Sequence, residues 1–274
     1  MEERTLERTP AAGRRGLAEW PAAGVGVVER LATGKGVREQ AADDAGVPER
    51  LAARAYLYAL FQHLFAEEPN ESFVQAVDAE LAREAFVLMG GTACDAEAFG
   101  KALAGLEDVP ARRIDYARLF VGPGALPAPP WESVWKFKDG SLFTRITLEV
   151  RAAYRAQGFI PERYPQVSDD HLALELDFLA RLAQGMQKAW EEGDSDALER
   201  ARQTSASFLE EHLGAWIGPF SADLANASSD SHAADLANAC QGPYATAARL
   251  LERLVRLDAA FLDALPSTLK GERA

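Results

Sequence analysis

The chain has 274 residues, of which 48% are hydrophobic and 26% are charged, as in ordinary globular proteins. This composition excludes a wholly disordered chain, a collagen-like repeat and a disulfide scaffold, and no uncharged apolar run approaches the ~20 residues that a membrane span needs. The net charge is −13. Residues up to Val47 include 7 basic and 8 acidic side chains, so the acidity belongs to the remainder and argues against general nucleic-acid binding.

Residues 1–47 contain seven glycines and lack a sustained apolar stripe. We predict that they form a flexible N-terminal extension, and that residues 48–274 form the folded helical domain. The residues after Met1 are polar, and no apolar segment follows the Arg14–Arg15 pair, so the sequence indicates neither a secretory nor a twin-arginine export signal here. The expected location is therefore the cytoplasm.

The folded part is predicted to be all-α, a single-domain helical bundle of about nine to twelve helices. Valine and isoleucine together number only 18, whereas leucine, alanine, arginine and glutamate dominate, and the latter lose little freedom in helices. The apolar periodicity predicts helices at about 48–68, 73–88, 99–106, 110–121, 145–157, 169–192, 195–213, 214–227 and 243–263. Between them, Gly122–Gly140 is rich in proline and glycine and predicts a long irregular connection.

No local sequence motif indicates an enzyme. The sequence has no P-loop, no Gly-x-Ser-x-Gly elbow and no Glu-x-x-His pair of the kind that a di-iron bundle uses. Cys94 and Cys240 are too far apart for a metal clip, and we predict both as small buried hydrophobic residues. No metal or other cofactor is therefore predicted.

The first unusual segment is Tyr116-Ala-Arg-Leu-Phe-Val-Gly-Pro-Gly, a helix end that runs into a rigid turn. Leu119 and Phe120 are explained by core packing, and the glycines explain how the helix ends. The alternative is that exposed amides and an aromatic ring flank a groove. The spacing of these residues alone favours core packing and helix termination over a groove.

The second segment is Pro129-Pro130-Trp131-Glu132-Ser133-Val134-Trp135. A proline-rich loop with exposed aromatic rings offers a stiff apolar surface at low entropic cost. Alternatively, both tryptophans fold down and fill the core beneath the loop. The sequence leaves these two interpretations evenly balanced.

The third segment is Ser168-Asp169-Asp170-His171, which leads into a strong helix. Ser168 or Asp169 is predicted as the N-cap, and Asp170 suits the positive end of the helix. His171 is less expected there, although Glu175, one turn later, offsets its charge. Metal binding lacks further ligands, so an acidic cluster that holds a basic peptide segment is the better interpretation.

Together these segments resemble the TorD/DmsD family of redox-enzyme maturation chaperones, which are all-helical cytoplasmic proteins that assist molybdenum-cofactor oxidoreductases. The resemblance extends from about Pro48 to about Leu265. The matching features are Tyr56 through Pro69, the Tyr-x-x-Leu-Phe-x-Gly-Pro-Gly run at 116–124, Pro-Pro-x-x-Ser-Val at 129–134, the Asp-His pair at 170–171, and late helices containing Phe208, His212, Trp216 and Tyr244. Val167 and Ser168 stand where the family usually has Glu-Pro, so one acid is lost.

The resemblance implies a chaperone that binds the twin-arginine leader and/or the apo form of a molybdenum-cofactor oxidoreductase and assists its maturation before export, without catalysis. Arginine forks pair with carboxylates, and the apolar stretch of a leader suits an aromatic groove. The predicted polar end of the site is Asp170, His171 and Glu175, and the predicted apolar wall is Tyr116, Phe120, Pro130 and Trp131. The remaining candidate peptide-binding residues are Gly122, Pro123, Gly124 and Ser133.

The sequence also fits other functions and leaves the oligomeric state open. One alternative is an assembly chaperone of the nitrate-reductase delta type, whose client is not exported. A weaker one is a nucleotide- or small-ligand-binding protein, in which Gly122-Pro123-Gly124 presents amides to phosphate. Neither nucleic-acid binding nor stable membrane insertion is expected. The long central connection is a route to domain swapping, so the sequence fits both a monomer and a swapped dimer.

Overall fold

The structure, a computed structural model, describes residues 46–137, 144–161, 167–229 and 242–265. These ranges contain α-helices and a single isolated β-bridge, which confirms the all-α prediction. The α-helices are α1 Val47–Ala66, α2 Glu71–Ala76, α3 Ala79–Leu88, α4 Ala93–Ala104, α5 Val109–Tyr116, α6 Glu132–Lys136, α7 Arg145–Ala156, α8 Leu172–Glu192, α9 Ser195–Phe208, α10 Gly214–Ser229 and α11 Pro243–Ala264. Most of the predicted extension, residues 1–45, lies outside the described residues.

Helix α1 is the centre of the bundle. Every residue from Leu51 to Tyr58 is buried, so this helix has no solvent face in its middle turns. A helix buried all round must be covered by other helices. Helix α8 makes the most extensive of these contacts, and α3 and α11 cover other sides. The middle turns of α1 are therefore not accessible to partners.

A buried ion pair joins α1 to α11. The Arg54 Nε donates to both carboxylate oxygens of Asp258, at 2.7 and 2.9 Å, and the Tyr58 hydroxyl donates to Asp258 Oδ2 at 2.7 Å. All three side chains are fully buried. Arg54 and Tyr58 are one turn apart on α1, so a single helix face supplies both donors. This pair fixes how α1 and α11 are aligned.

Three predictions about individual elements were wrong. The helix predicted over 73–88 is two helices, because the Asp78 side chain caps α3 by accepting from the amides of Glu80 and Leu81 at 3.0 Å. The connection predicted as irregular contains the short helix α6. Helix α8 begins at Leu172, later than predicted, and its N-cap is His171 rather than Ser168 or Asp169.

Two of the helices continue through π-helical turns. Ala117–Val121 extends α5, and Leu209–Leu213 connects α9 directly to α10. The boundary predicted between 213 and 214 therefore marks a change of helical pitch rather than a break in the chain. Such turns occur often at functional sites, because they change the direction in which the following side chains point.

Two further observations concern the surface. Cys94 is exposed in the first turn of α4, so its predicted burial was wrong, while Cys240 lies outside the described residues. None of the described helices combines the length and the apolar character that crossing a membrane requires.

Candidate functional site

The second and third sequence segments meet through a short backbone pairing. The Leu172 amide donates to the Pro130 carbonyl at 2.9 Å, and the Glu132 amide donates to the Asp170 carbonyl at 3.0 Å. Trp131 and His171 stand opposite each other in this antiparallel bridge. The loop before α6 is thereby attached to the start of α8.

Asp170 holds this junction together from inside. Its Oδ2 accepts from the Ser133 amide at 3.0 Å, and its Oδ1 accepts from the Thr147 hydroxyl at 3.1 Å and from the Ser168 hydroxyl. The carboxylate is fully buried. Because three donors from different segments converge on one side chain, Asp170 has a structural role in positioning α6, α7 and α8 relative to one another.

Asp169 provides a second attachment to α7. Its Oδ2 accepts from Arg151 Nε at 2.8 Å, and its backbone carbonyl accepts from the Tyr154 hydroxyl at 2.9 Å. Both acids of the Asp169–Asp170 pair are thus used in tertiary contacts. This explains why neither Asp169 nor Ser168 caps the helix: Ser168 donates to Asp170 instead.

His171 and Trp131 form the accessible part of the site. The His171 Nδ1 accepts from the Ala173 amide at 3.1 Å, which caps α8 and places the proton of the neutral ring on Nε2. The imidazole meets the Trp131 ring edge-to-face, with 5.4 Å between the ring centroids. Both side chains are half-buried. A partner can therefore contact the exposed part of these two side chains, while the β-bridge holds their backbones in place.

A buried acidic network that the sequence analysis missed lies behind this pair. Glu132 contacts His212 Nδ1 at 3.0 Å and Lys136 Nζ at 2.6 Å. The Trp216 indole nitrogen donates to Glu175 Oε2 at 3.2 Å. Glu132, Glu175 and Trp216 are fully buried, and His212 nearly so. The π-helical turn before α10 places His212 here, so chain-distant elements meet at one point.

Glu175 is in an unusual electrostatic environment. Burial, together with the nearby Glu132 carboxylate, raises the pKa of the Glu175 carboxyl well above its ordinary value. Lys136 offsets the charge of Glu132, and Arg151 offsets that of Asp169. Of the predicted polar end, Asp170 and Glu175 are consequently buried rather than surface carboxylates, and His171 is half-buried.

The two tryptophans of the loop have different environments. Trp135 packs on Trp216 at 6.5 Å and on Phe220 at 6.3 Å, and its indole nitrogen donates to the Pro129 carbonyl at 2.8 Å. Trp131 stays half-exposed. Pro130 and Ser133 are buried beneath them. Trp135 therefore packs against the core while it stays half-buried, and Trp131 packs against His171.

The first sequence segment lies elsewhere in the fold. Tyr116 and Phe120 are buried and pack against Tyr244, at 5.9 and 5.6 Å between ring centroids. Gly122 ends the helical segment with φ +101°, and Pro123 and Gly124 are exposed. The structure therefore does not join Tyr116 and Phe120 to the surface formed by Trp131 and His171.

Residues 92–222 match the family model described as nitrate reductase delta subunit, and this range contains the whole site. The chain is 41% identical to the Tat proofreading chaperone DmsD of Salmonella typhi over 69 residues, 25% of this chain and 34% of that protein. It is 29% identical to the chaperone protein TorD of Vibrio cholerae serotype O1 over 151 residues, 55% of this chain and 62% of that protein.

Over these regions the chain is similar to the TorD and DmsD chaperones. The TorD of Photobacterium profundum gives a similar match, with 27% identity over 148 residues. The matched region spans about a third of the DmsD relative and about three fifths of the TorD relatives. The matched relatives carry the name of chaperones.

Proposed function

We propose that this protein is a cytoplasmic chaperone that binds the twin-arginine leader and/or the apo form of a molybdenum-cofactor oxidoreductase and assists its maturation before export. The observation that carries the proposal is the half-exposed Trp131–His171 pair, which a backbone bridge holds at the junction of two loops. The names of the matched relatives support a chaperone, and no reaction chemistry is required of these residues.

The site supports recognition of an apolar peptide stretch. A half-exposed indole ring buries a large apolar area on contact and loses little conformational freedom, because the bridge already fixes it. Asp170 and Glu175 act on the partner indirectly: they hold the loops, while Trp131 and His171 contact the peptide. The negative net charge of −13 speeds encounter with a cationic leader at low salt.

The proposal predicts that Trp131→Ala weakens peptide binding by about tenfold or more, the usual cost of removing an aromatic anchor. The measurement is calorimetric titration of the full chain with a synthetic peptide in which Arg-Arg precedes an apolar stretch. Trp190→Ala is the matched control, because Trp190 is also half-buried but lies near the opposite end of α8. Asp170→Ala is a poor probe, since Asp170 holds three donors inside the fold.

An equal affinity of the wild type and the Trp131→Ala variant, with unchanged circular dichroism, would contradict this role for Trp131. A peptide whose apolar stretch is replaced by serine and glycine provides the complementary test. The wild type is expected to lose affinity for it, and the Trp131→Ala variant to lose little more.

A second candidate is an assembly chaperone of the nitrate-reductase delta type, whose client is not exported. The description of the matching family model favours it. The two candidates differ in the client segment that is recognised. Binding of an apo-oxidoreductase that lacks a twin-arginine leader, with no binding of the leader peptide, would favour this second candidate.

A further inference from the structure

Glu175 has one carboxyl oxygen that receives no donor. Its Oε2 accepts from the Trp216 indole nitrogen at 3.2 Å, but no donor in the described part of the chain reaches its Oε1. The side chain is fully buried, so this oxygen is also closed off from bulk solvent. An ionised carboxylate with a buried, unpaired oxygen is costly, whereas a neutral carboxyl carries a proton on that oxygen and can itself donate.

The acceptor for such a proton is the Glu132 carboxylate, which is in hydrogen-bond contact with the Glu175 carboxyl. Glu132 is fully buried, and it contacts Lys136 Nζ at 2.6 Å and His212 Nδ1 at 3.0 Å. The cationic groups of the described network thus contact Glu132 rather than Glu175. When cations compensate only one of two adjacent buried carboxyls, the other is most stable in its neutral form. The proton therefore belongs to Glu175, and Glu132 is the charged partner.

The other titratable groups near Glu175 also favour its neutral form. The Asp170 carboxylate adds negative potential, and it takes its own donors from elsewhere in the junction. The Tyr154 hydroxyl donates to the Asp169 carbonyl at 2.9 Å. Burial raises the pKa of this hydroxyl well above its ordinary value, so it is uncharged. Neither Asp170 nor Tyr154 supplies a positive charge to Glu175.

The two glutamates lie directly behind the accessible pair. Glu132 follows Trp131 in the chain, and its amide donates to the Asp170 carbonyl in the bridge at 3.0 Å. Glu175 lies one turn after His171, and its amide donates to the His171 carbonyl at 3.1 Å. A hydrogen bond between the two side chains therefore connects α6 to α8 immediately behind the bridge.

We infer that Glu175 is a positioning residue for the Trp131–His171 surface, which it fixes by donating the proton on its Oε1 to the Glu132 carboxylate. The inference rests on the proposed function and deepens it, because it names what holds the docking pair in place before a client segment arrives. A hydrogen bond from a neutral acid to a carboxylate is charge-assisted and stronger than one between neutral groups. Glu175 acts through Glu132 and does not contact the client.

Infrared spectroscopy of the full chain tests the proton itself. At about pH 7 an ordinary glutamate is ionised, so the carbonyl band of a protonated carboxylic acid reports an unusual one. The wild type is expected to show this band, and Glu175→Gln is expected to lose it. Glu192→Gln is the control, because Glu192 is exposed at the end of α8, and it should leave the band unchanged. A wild-type spectrum without the band overturns the inference.

Amide hydrogen exchange of the free protein tests the effect on the bridge. Glu175→Gln keeps a donor for Glu132 and an acceptor for Trp216, so exchange in residues 131–134 should stay within about twofold of the wild type. Glu175→Met has a similar size and removes both groups, and it should speed this exchange about tenfold, as for the loss of a hydrogen bond to a charged group. Affinity for an Arg-Arg leader peptide should follow the same contrast.

The same two substitutions in a Trp216→Phe background isolate the proton, because no indole then needs the carboxyl as an acceptor. The contrast between glutamine and methionine should remain. Its disappearance overturns the inference, as does equal exchange of the Glu175→Gln and Glu175→Met variants in the native background. If Glu175→Met does not fold, the infrared band decides. If the exchange contrast holds but neither the wild type nor Glu175→Gln binds the peptide, the hydrogen bond between the two acids is supported and leader binding is contradicted.

Discussion

Replacing Asp258 with alanine is expected to lower the free energy of unfolding by about 3–5 kcal/mol, because a buried guanidinium is left without its counter-charge. Arg54 and the Tyr58 hydroxyl both donate to Asp258, and all three side chains are fully buried. The loss would therefore combine an uncompensated charge with an unsatisfied hydroxyl. Urea unfolding followed by circular dichroism measures it.

Asp263→Ala is the control for this substitution, because Asp263 lies on the exposed side of the same helix. Its effect is expected to stay within about 0.5 kcal/mol. A second variant, Arg54→Met with Asp258→Leu, removes both charges and should recover much of the stability. If Asp258→Ala behaves like the control, the ion pair does not align α1 and α11 as we describe.

Glu175→Gln is expected to stabilise the protein increasingly as pH rises. The pKa of Glu175 is raised in the folded state, so above the ordinary value of 4.5 the unfolded chain loses this proton while the folded protein keeps it. In that window the wild type loses stability with rising pH, by at most ~1.4 kcal/mol per pH unit. Glutamine carries no such proton, and its side-chain oxygen can still accept from the Trp216 indole.

The measurement is urea unfolding of both proteins at pH values from about 5 to about 8, a range that begins near the ordinary pKa of a glutamate. The difference between variant and wild type should grow across this range. Glu192→Gln, an exposed position at the end of α8, should show no such trend. A difference that is constant or falls with pH would mean that burial and Glu132 do not raise the Glu175 pKa.

The sequence predicts those helices whose boundaries have local causes. Pro48 opens α1 and Pro243 opens α11, because proline fits the first helical turn. The break at Asp78 is also local, yet apolar periodicity runs through it, and only the capping bonds to Glu80 and Leu81 reveal it. Periodicity reports which face is buried and is insensitive to a short interruption.

The site was predictable in part. Trp131, Asp170 and His171 belong to sequence motifs that suggested binding, and the structure brings the loops of these three together. The environment of Asp170 was not predictable, because Thr147 lies 23 residues away on another helix. Glu132 and His212 are 80 residues apart. Glu132 lies within the proline-rich segment, and His212 was marked only by the family resemblance.

The distinction between exposed and buried carboxylates also required the structure. Asp170 directly precedes His171 and Glu175 follows it by one helical turn, which suggested an acidic surface. Tertiary contacts instead bury both carboxylates behind the Trp131–His171 pair.

We propose the Trp131–His171 pair as the surface on which another polypeptide docks. Amide hydrogen exchange of the full chain, with and without a saturating Arg-Arg leader peptide, tests it most directly. We expect slower exchange in residues 131–134 and 171–174, which flank the bridge. Unchanged exchange in both segments while the peptide is bound would contradict the account.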